Sequence, residues 1–193
     1  MPSKTPQKPR KATRAKPLAV VVLPDWVVRY EVAIDDSQKV LKVDHGRLLD
    51  IARSVLAAEQ VVSATISLAI VDNQRIHEIN VRYLKHDFPT DVLSFLLEME
   101  VDADSLPIPK AAPRGYGKRL EGEIILSAEM AKQSATKYRW KPLDELTLYV
   151  VHGLLHLCGY DDLTRKSQAA MQQREREVLA DWGLSPHYAE AAS

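Results

Sequence analysis

Two histidines four residues apart, His152 and His156, stand in the run His-Gly-Leu-Leu-His-Leu-Cys-Gly-Tyr-Asp-Asp that covers residues 152–162. Side chains four apart on an α-helix lie one turn above each other, so two imidazoles at this spacing can offer nitrogens to one ion. Gly159 follows three positions after the second histidine, where helices commonly end in the left-handed conformation that glycine reaches without strain. The chain can then double back and bring Asp162 in as a third ligand. Two neutral imidazoles and one carboxylate suit zinc with a coordination position left open, which points to hydrolysis. The competing reading is a buried apolar helix, Leu146 to Leu157, whose histidines are satisfied by protein partners; two unpaired buried imidazoles would each cost roughly 1–3 kcal/mol. The zinc-peptidase signature has a glutamate base directly after its first histidine. Gly153 occupies that position here, so a metal site survives the comparison while a peptidase loses its proton acceptor. Cys158 lies two positions after His156 and faces another side of the helix, as a buried inert thiol rather than a ligand.

The elements that must position these groups alternate along the chain. Val27 to Ile34 reads as a strand turned by Asp35, Asp36 and Ser37. Asp44 caps a helix to about Glu59, with Leu48, Ile51, Ala52, Val55 and Leu56 on one face. Ala64 to Val71 is a strand by alternation, and Asn73 caps a helix to about Leu84. Val92 to Met99 is a third strand, residues 100–119 form a loop rich in acids, proline and glycine, and Gly122 to Leu126 is a fourth strand. Ser127 caps a helix to Tyr138, Pro142 starts the histidine-bearing helix, and a last helix spans about Leu163 to Trp182, stopped by Gly183. Four strands interleaved with about five helices argue for one α/β domain.

Composition agrees with a single enzyme domain. The chain has 193 residues, 46% hydrophobic and 27% charged, ordinary for a globular protein and long enough for one good core. One cysteine makes no internal disulfide, which fits a reducing compartment. No apolar stretch approaches the length of a membrane span or a secretory signal. Lys4, Lys8, Arg10, Lys11, Arg14 and Lys16 crowd residues 1–17 with four prolines and no acid; since the whole chain balances 26 basic against 26 acidic residues, the remainder is net acidic by six. This segment is expected to be a basic disordered tail ahead of a domain at 18–193, either attracting RNA phosphates or serving as a solvated linker.

Residues 152–162 resemble the signature of the YbeY family of metal-dependent endoribonucleases, His-Gly-x-Leu-His-Leu-x-Gly-Tyr-Asp-His. Residues 79–95, Ile-Asn-Val-Arg-Tyr-Leu-Lys-His-Asp-Phe-Pro-Thr-Asp-Val-Leu-Ser-Phe, are similar to that family's Leu-Asn-x-x-Tyr-Arg-x-x-Asp-x-Pro-Thr-Asp-Val-Leu-Ser-Phe. Residues 121–127, Glu-Gly-Glu-Ile-Ile-Leu-Ser, look like its Gly-Asp-Ile-x-Ile-Ser strand. The resemblance implies a mixed four-stranded sheet beside a zincin-like metal helix. It also implies one zinc ion per chain held by His152, His156 and Asp162, and cleavage of single-stranded RNA in 16S ribosomal RNA 3′ end maturation and ribosome quality control. The cytoplasm and the ribosome would be its setting. Two positions depart from the family. Asp162 replaces its third histidine, adding negative charge that favours harder ions, and Leu84 replaces an arginine that works on the phosphate. Lys85 or His86 is expected to supply the cation instead. Asp91, Ser94 and Glu123 fall on the shared strand blocks and are expected to line the cleft, either acid serving as a base or as a capping or edge residue. Arg75, Arg82, Lys85, Lys137, Arg139 and Lys141 could track an RNA backbone, with Tyr138, Trp140 or Tyr83 as stacking platforms unless they pack in the core. Two other functions remain open: a zinc-dependent peptidase or amidohydrolase, and a non-catalytic ribosome-associated metalloprotein.

Overall fold

The computed structural model describes residues 29–188. Four strands form one sheet, β1 (Tyr30–Asp36), β2 (Ser63–Val71), β3 (Val92–Val101) and β4 (Lys118–Ser127), in the order β1-β2-β4-β3. β1, β2 and β4 run parallel, and β3 lies antiparallel on the outer edge of β4. The parallel neighbours require long crossovers, supplied by α1 (His45–Ala58) between β1 and β2 and by α2 (Asn73–Ile79) after β2. Three helices follow β4: α3 (Ala128–Tyr138), α4 (Pro142–Cys158) and α5 (Arg165–Ala180). The mixed four-stranded sheet with five helices is the architecture expected from the sequence.

Period-two alternation decides which residues meet the helices. Along β2, Ala64, Ile66, Leu68 and Ile70 are buried, whereas Thr65 and Ser67 point to the exposed face. The buried row joins Leu48, Ile51, Val55 and Leu56 of α1 and Leu146, Val150, Val151 and Leu154 of α4 in one core. On the opposite face Ile76 of α2 packs with Val71, Leu93 and Ile125 at the carboxyl end of β2 and β4.

α4 is the central helix. It opens with Pro142, which has no N–H to leave unpaired, and carries Asp144 and Glu145 in its first turn, where acids complement the helix dipole. Gly159 ends it at φ 103°, the left-handed residue anticipated from the sequence. Two glycines let α4 lie close on the sheet. A β-carbon at Gly153 would sit 2.7 Å from Cγ2 of Ile124 and 3.0 Å from Oγ of Ser94, and one at Gly122 would sit 2.8 Å from Cδ1 of Leu157. Gly153→Ala is therefore expected to lower stability by about 1–3 kcal/mol, the usual cost of overpacking, measured by urea unfolding. An unchanged midpoint would show that the helix can lift without penalty.

Several boundaries differ from the sequence expectation, each for a local reason. β3 and β4 pair further than alternation suggests, with Glu100 opposite Arg119 and Val101 opposite Lys118, so the connecting loop is shorter than 100–119. The helix expected over 73–84 is capped by Asp72, whose side chain accepts from the Arg75 N–H at 2.8 Å, and α2 ends at Ile79. A wider π-type turn over Asn80–Leu84 follows, closed by Lys85 at φ 62°. Buried Asn80 donates through Nδ2 to the Phe88 carbonyl at 2.8 Å and ties this turn to the next loop. The last helix starts after Thr164, which forms a capping box with Ser167, and ends at Ala180. β1 extends to Asp36. Val27, Val28 and the basic segment 1–17 lie outside the described residues.

Candidate metal centre

His152 and His156 project from one face of α4 with their Nε2 atoms 3.0 Å apart. The turn after Gly159 returns Asp162 towards them, its Oδ2 4.0 Å from His152 Nε2 and its Oδ1 3.9 Å from His156 Nε2. Ligand atoms of the three residues all lie within 4.8 Å of one another, the one such trio among the described residues. Two imidazole nitrogens and a carboxylate oxygen converging this closely fit a single divalent ion, with the fourth side facing solvent.

What aims the rings is a set of contacts on their far nitrogens. His152 Nδ1 lies 2.7 Å from Oε1 of Glu175, and His156 Nδ1 lies 3.0 Å from the Tyr160 carbonyl. Each contact places the N–H on Nδ1 and leaves Nε2 free to bind. Glu175, 2% exposed on α5, also accepts from the Tyr188 hydroxyl at 2.6 Å. Cations hold the turn that carries Asp162: Lys118 Nζ donates to the Cys158 carbonyl at 2.7 Å and Arg114 donates to the Gly159 carbonyl at 2.7 Å. They satisfy carbonyls that the end of α4 leaves without helical partners.

The two rings titrate in opposite directions. Burial lowers His152, but its hydrogen bond to Glu175 and the charges of Glu175, Asp91 and Asp162 outweigh burial and raise it. Burial and the neighbouring His152 lower His156. Burial, reinforced by Glu59, pushes the Cys158 thiol up to about 12, which matches the inert thiol expected from its side of the helix.

Two clefts meet at the histidines. One, of about 230 Å³, runs along α4 between α3 and α5 and includes Asp91, Glu145, Tyr149, His152, Asp162 and Tyr188 in its walls. The other, of about 360 Å³, is walled by Leu84, Val92, Ser94, Leu96, His152 and His156. Leu84 thus faces the metal group but brings no charge to it. Asp91 and Ser94 line the clefts as expected. Glu123 does not, because it sits opposite Phe95 and one residue from Ile124, so the pleat turns it to the face away from α4. Neither Lys85 nor His86 lines either cleft. Lys85 Nζ donates to the Arg82 carbonyl at 3.0 Å, and His86 stacks on Phe88.

The basic and aromatic candidates are scattered. Arg75 pairs with Glu78 at 3.3 Å, Arg82 lies over the Tyr83 ring and Lys137 over Tyr138. Arg139 closes α3 and Lys141 precedes α4. Trp140 packs against the core, Tyr83 is 61% exposed, and Tyr138 lines the cleft along α4.

Two acids escaped the sequence reading. Glu175 falls four residues after Met171 and three before Val178 on the buried stripe of α5, and an acid on an apolar stripe is a readable signal of a partner. Glu145 falls seven residues before His152, on the same face of α4. Burial pushes the Glu145 carboxyl up to about 7, against a pull from the Tyr149 hydroxyl and with a further rise from Asp91. A folded-state pKa above the unfolded value means that the stabilising proton is fully bound below the ordinary carboxylate range and lost as pH rises through about 7. Glu145→Gln is expected to flatten that decline, so its melting temperature gains on the unmodified protein towards alkaline pH. Parallel melting curves across pH would contradict the assignment.

Comparison with known proteins places these features. A family model described as endoribonuclease YbeY matches residues 33–183. Endoribonuclease YbeY of Bacillus licheniformis is 35% identical over 156 residues, 79% of this chain and 96% of that protein. Its counterpart in Sulfurovum sp. is 39% identical over 150 residues, 77% of this chain and 89% of that protein. A solution structure of a Thermotoga maritima protein aligns with a TM-score of 0.46 at 20% identity, covering 80% of this chain and 91% of that one.

Proposed function

Because the chain belongs to the endoribonuclease YbeY family, we propose that it is a metal-dependent endoribonuclease in which His152, His156 and Asp162 hold one zinc ion. Its substrate is single-stranded RNA, and its process is the family's role in ribosomal RNA maturation, with the ribosome as partner and the cytoplasm as location. The observation that carries the reading is the convergence of two Nε2 atoms and a carboxylate within 4.8 Å, at the junction of two clefts. Zinc is favoured by the two imidazoles, and the carboxylate broadens the choice towards harder ions. No helix among the described residues is long and apolar enough to cross a membrane.

The ion, when bound, supplies Lewis acidity towards a phosphodiester. The chain's own residues do the rest. Glu175 and the Tyr160 carbonyl fix the tautomers of the two imidazoles, and the Lys118 and Arg114 contacts hold the turn that presents Asp162. Leu84 gives the neighbouring cleft an apolar wall instead of a charged one. A peptidase is disfavoured by space, since a glutamate at position 153 would meet Ile124 and Ser94.

The test incubates the purified chain with unstructured RNA before and after chelation and after adding back zinc or manganese. Cleavage that disappears with chelator and returns with metal supports the reading. Turnover of peptide but not RNA, or a metal-loaded chain inert to RNA, would refute it.

A further inference from the structure

The geometry points to a nucleobase subsite in the cleft along α4, in which Glu145 reads the paired N–H donors of guanine while the adjoining phosphodiester lies at the His152, His156 and Asp162 group. This rests on the nuclease reading and specifies its substrate. The cleft holds acceptors in excess of partners. Among its carboxylates, Glu175 already serves His152 and Tyr188, Asp162 faces the imidazoles, and Asp91 Oδ1 accepts from Thr90 and from the Val92 N–H. Glu145 is 4% exposed; the Tyr149 hydroxyl, one turn along the same helix, pulls on its carboxyl without closing a hydrogen bond of good geometry, and Oε2 is left unmatched. Buried polar atoms of this kind are ordinarily satisfied by something.

The chemistry of the walls narrows what that something is. Among the described residues no lysine or arginine lines the cleft, so a phosphate group would find four carboxylates and no cation there, with only neutral donors such as Ser134, Gln168 and Gln172 to meet it. A group presenting N–H donors is complementary, and Glu145, once the proton that burial retains up to about 7 has left, can take two adjacent donors at once, as a carboxylate does with arginine. Guanine presents such a pair at N1 and its exocyclic amine. Tyr138, Tyr149, His187 and Tyr188 supply rings, and Leu148 and Met171 supply apolar surface, the partners that unstacked RNA bases take.

Distance separates base reading from proton transfer. Seven residues of α-helix put Glu145 and His152 on one face but roughly 10 Å apart along the axis. A general acid or base must come within about 2.6–3.2 Å of the proton it moves, so Glu145 is too far to serve a phosphate at the histidines, whereas the sugar and base of one nucleotide span such a gap. A second ion fits less well, because Asp91 and Glu145 join no close trio of ligand atoms among the described residues.

The experiment measures binding of GMP, IMP and AMP to the zinc-loaded full chain by equilibrium dialysis, and cleavage of otherwise identical oligonucleotides carrying guanine, hypoxanthine or adenine at one position. GMP is expected to bind about five- to tenfold tighter than IMP, which lacks the amine, the worth of one hydrogen bond. Cleavage is expected to follow the same order. Glu145→Gln should bring the three bases towards parity with zinc content unchanged. The nucleotide series uses the unmodified protein, so it stands even if the variant fails to fold. Equal binding of the three nucleotides overturns the subsite, as does a Glu145→Gln protein with undiminished preference. A second equivalent of manganese bound by the unmodified chain and lost in the variant, with base ratios unmoved, would also overturn it in favour of an ion. Guanine selection without RNA cleavage would refute the nuclease reading alone, and unselective cleavage would refute the subsite alone.

Discussion

His152→Ala is expected to lose stoichiometric zinc and to lower RNA cleavage by well over a hundredfold, since altering even the partners behind a metal ligand costs about 10–100-fold. The ring carries more than one contact. Its Nε2 lies 3.0 Å from that of His156 and 4.0 Å from Asp162, and its Nδ1 is bound to Glu175. Alanine removes one of three donors, and His156 with Asp162 alone make a weak site. Circular dichroism beside elemental analysis separates loss of metal from loss of fold, because α4 keeps its apolar contacts and its glycine end. A variant that retains one equivalent of zinc, or that cleaves RNA at the unmodified rate, would overturn the assignment of these ligands. Asp162→His is the complementary experiment. It restores a third imidazole, and affinity close to that of the unmodified chain would show that the two donors are interchangeable here.

Glu175→Gln should weaken zinc binding by about 10–100-fold while leaving all three ligands in place. Glu175 touches no ion; it is a positioning residue that holds His152 Nδ1 at 2.7 Å and is itself held by Tyr188. Glutamine keeps the shape and removes the charge; its carbonyl can still accept from His152 Nδ1, while its amide nitrogen takes the place of the oxygen that Tyr188 used. A pH profile provides a readout that mere loosening would not move. Burial lowers His152, but Glu175 outweighs it and holds the ring's pKa above its ordinary value, so in the metal-free protein a proton competes with the ion for Nε2. Affinity therefore falls as pH drops through that raised pKa. Without the Glu175 charge the fall should begin at lower pH, even as affinity on the alkaline plateau declines. Zinc titrations across pH with both proteins check the two effects together. A plateau loss with no displacement of the pH midpoint would mean that Glu175 acts by packing alone.

Much of this protein was legible before any coordinates. The helix around His152 and His156, its glycine end and the buried faces of α1 and β2 rest on periods of 3.6 and 2, which depend only on near neighbours in the chain. Asp44 and Ser127 were recognisable as caps for the same reason, since a cap acts within three residues. The trio that could hold a metal was legible because its three members fall within eleven residues, 152–162, and one glycine turn is enough to close them.

Contacts between distant segments were beyond that reach. Glu175 meets His152 across 23 residues because α5 packs beside α4, and nothing local to either residue reports that pairing. Strand order and the antiparallel placement of β3 turned Ser94 towards the metal helix and Glu123 away from it, although both lie on strands of similar pattern. The π-type turn after Ile79 left Leu84 against the histidines and Lys85 folded onto its own backbone. Residue type and spacing alone marked the three candidate ligands and the helix that carries two of them. Which acids stand behind those ligands, and which base a neighbouring cleft can hold, was decided by how the helices pack, because packing brings together residues that the chain keeps far apart.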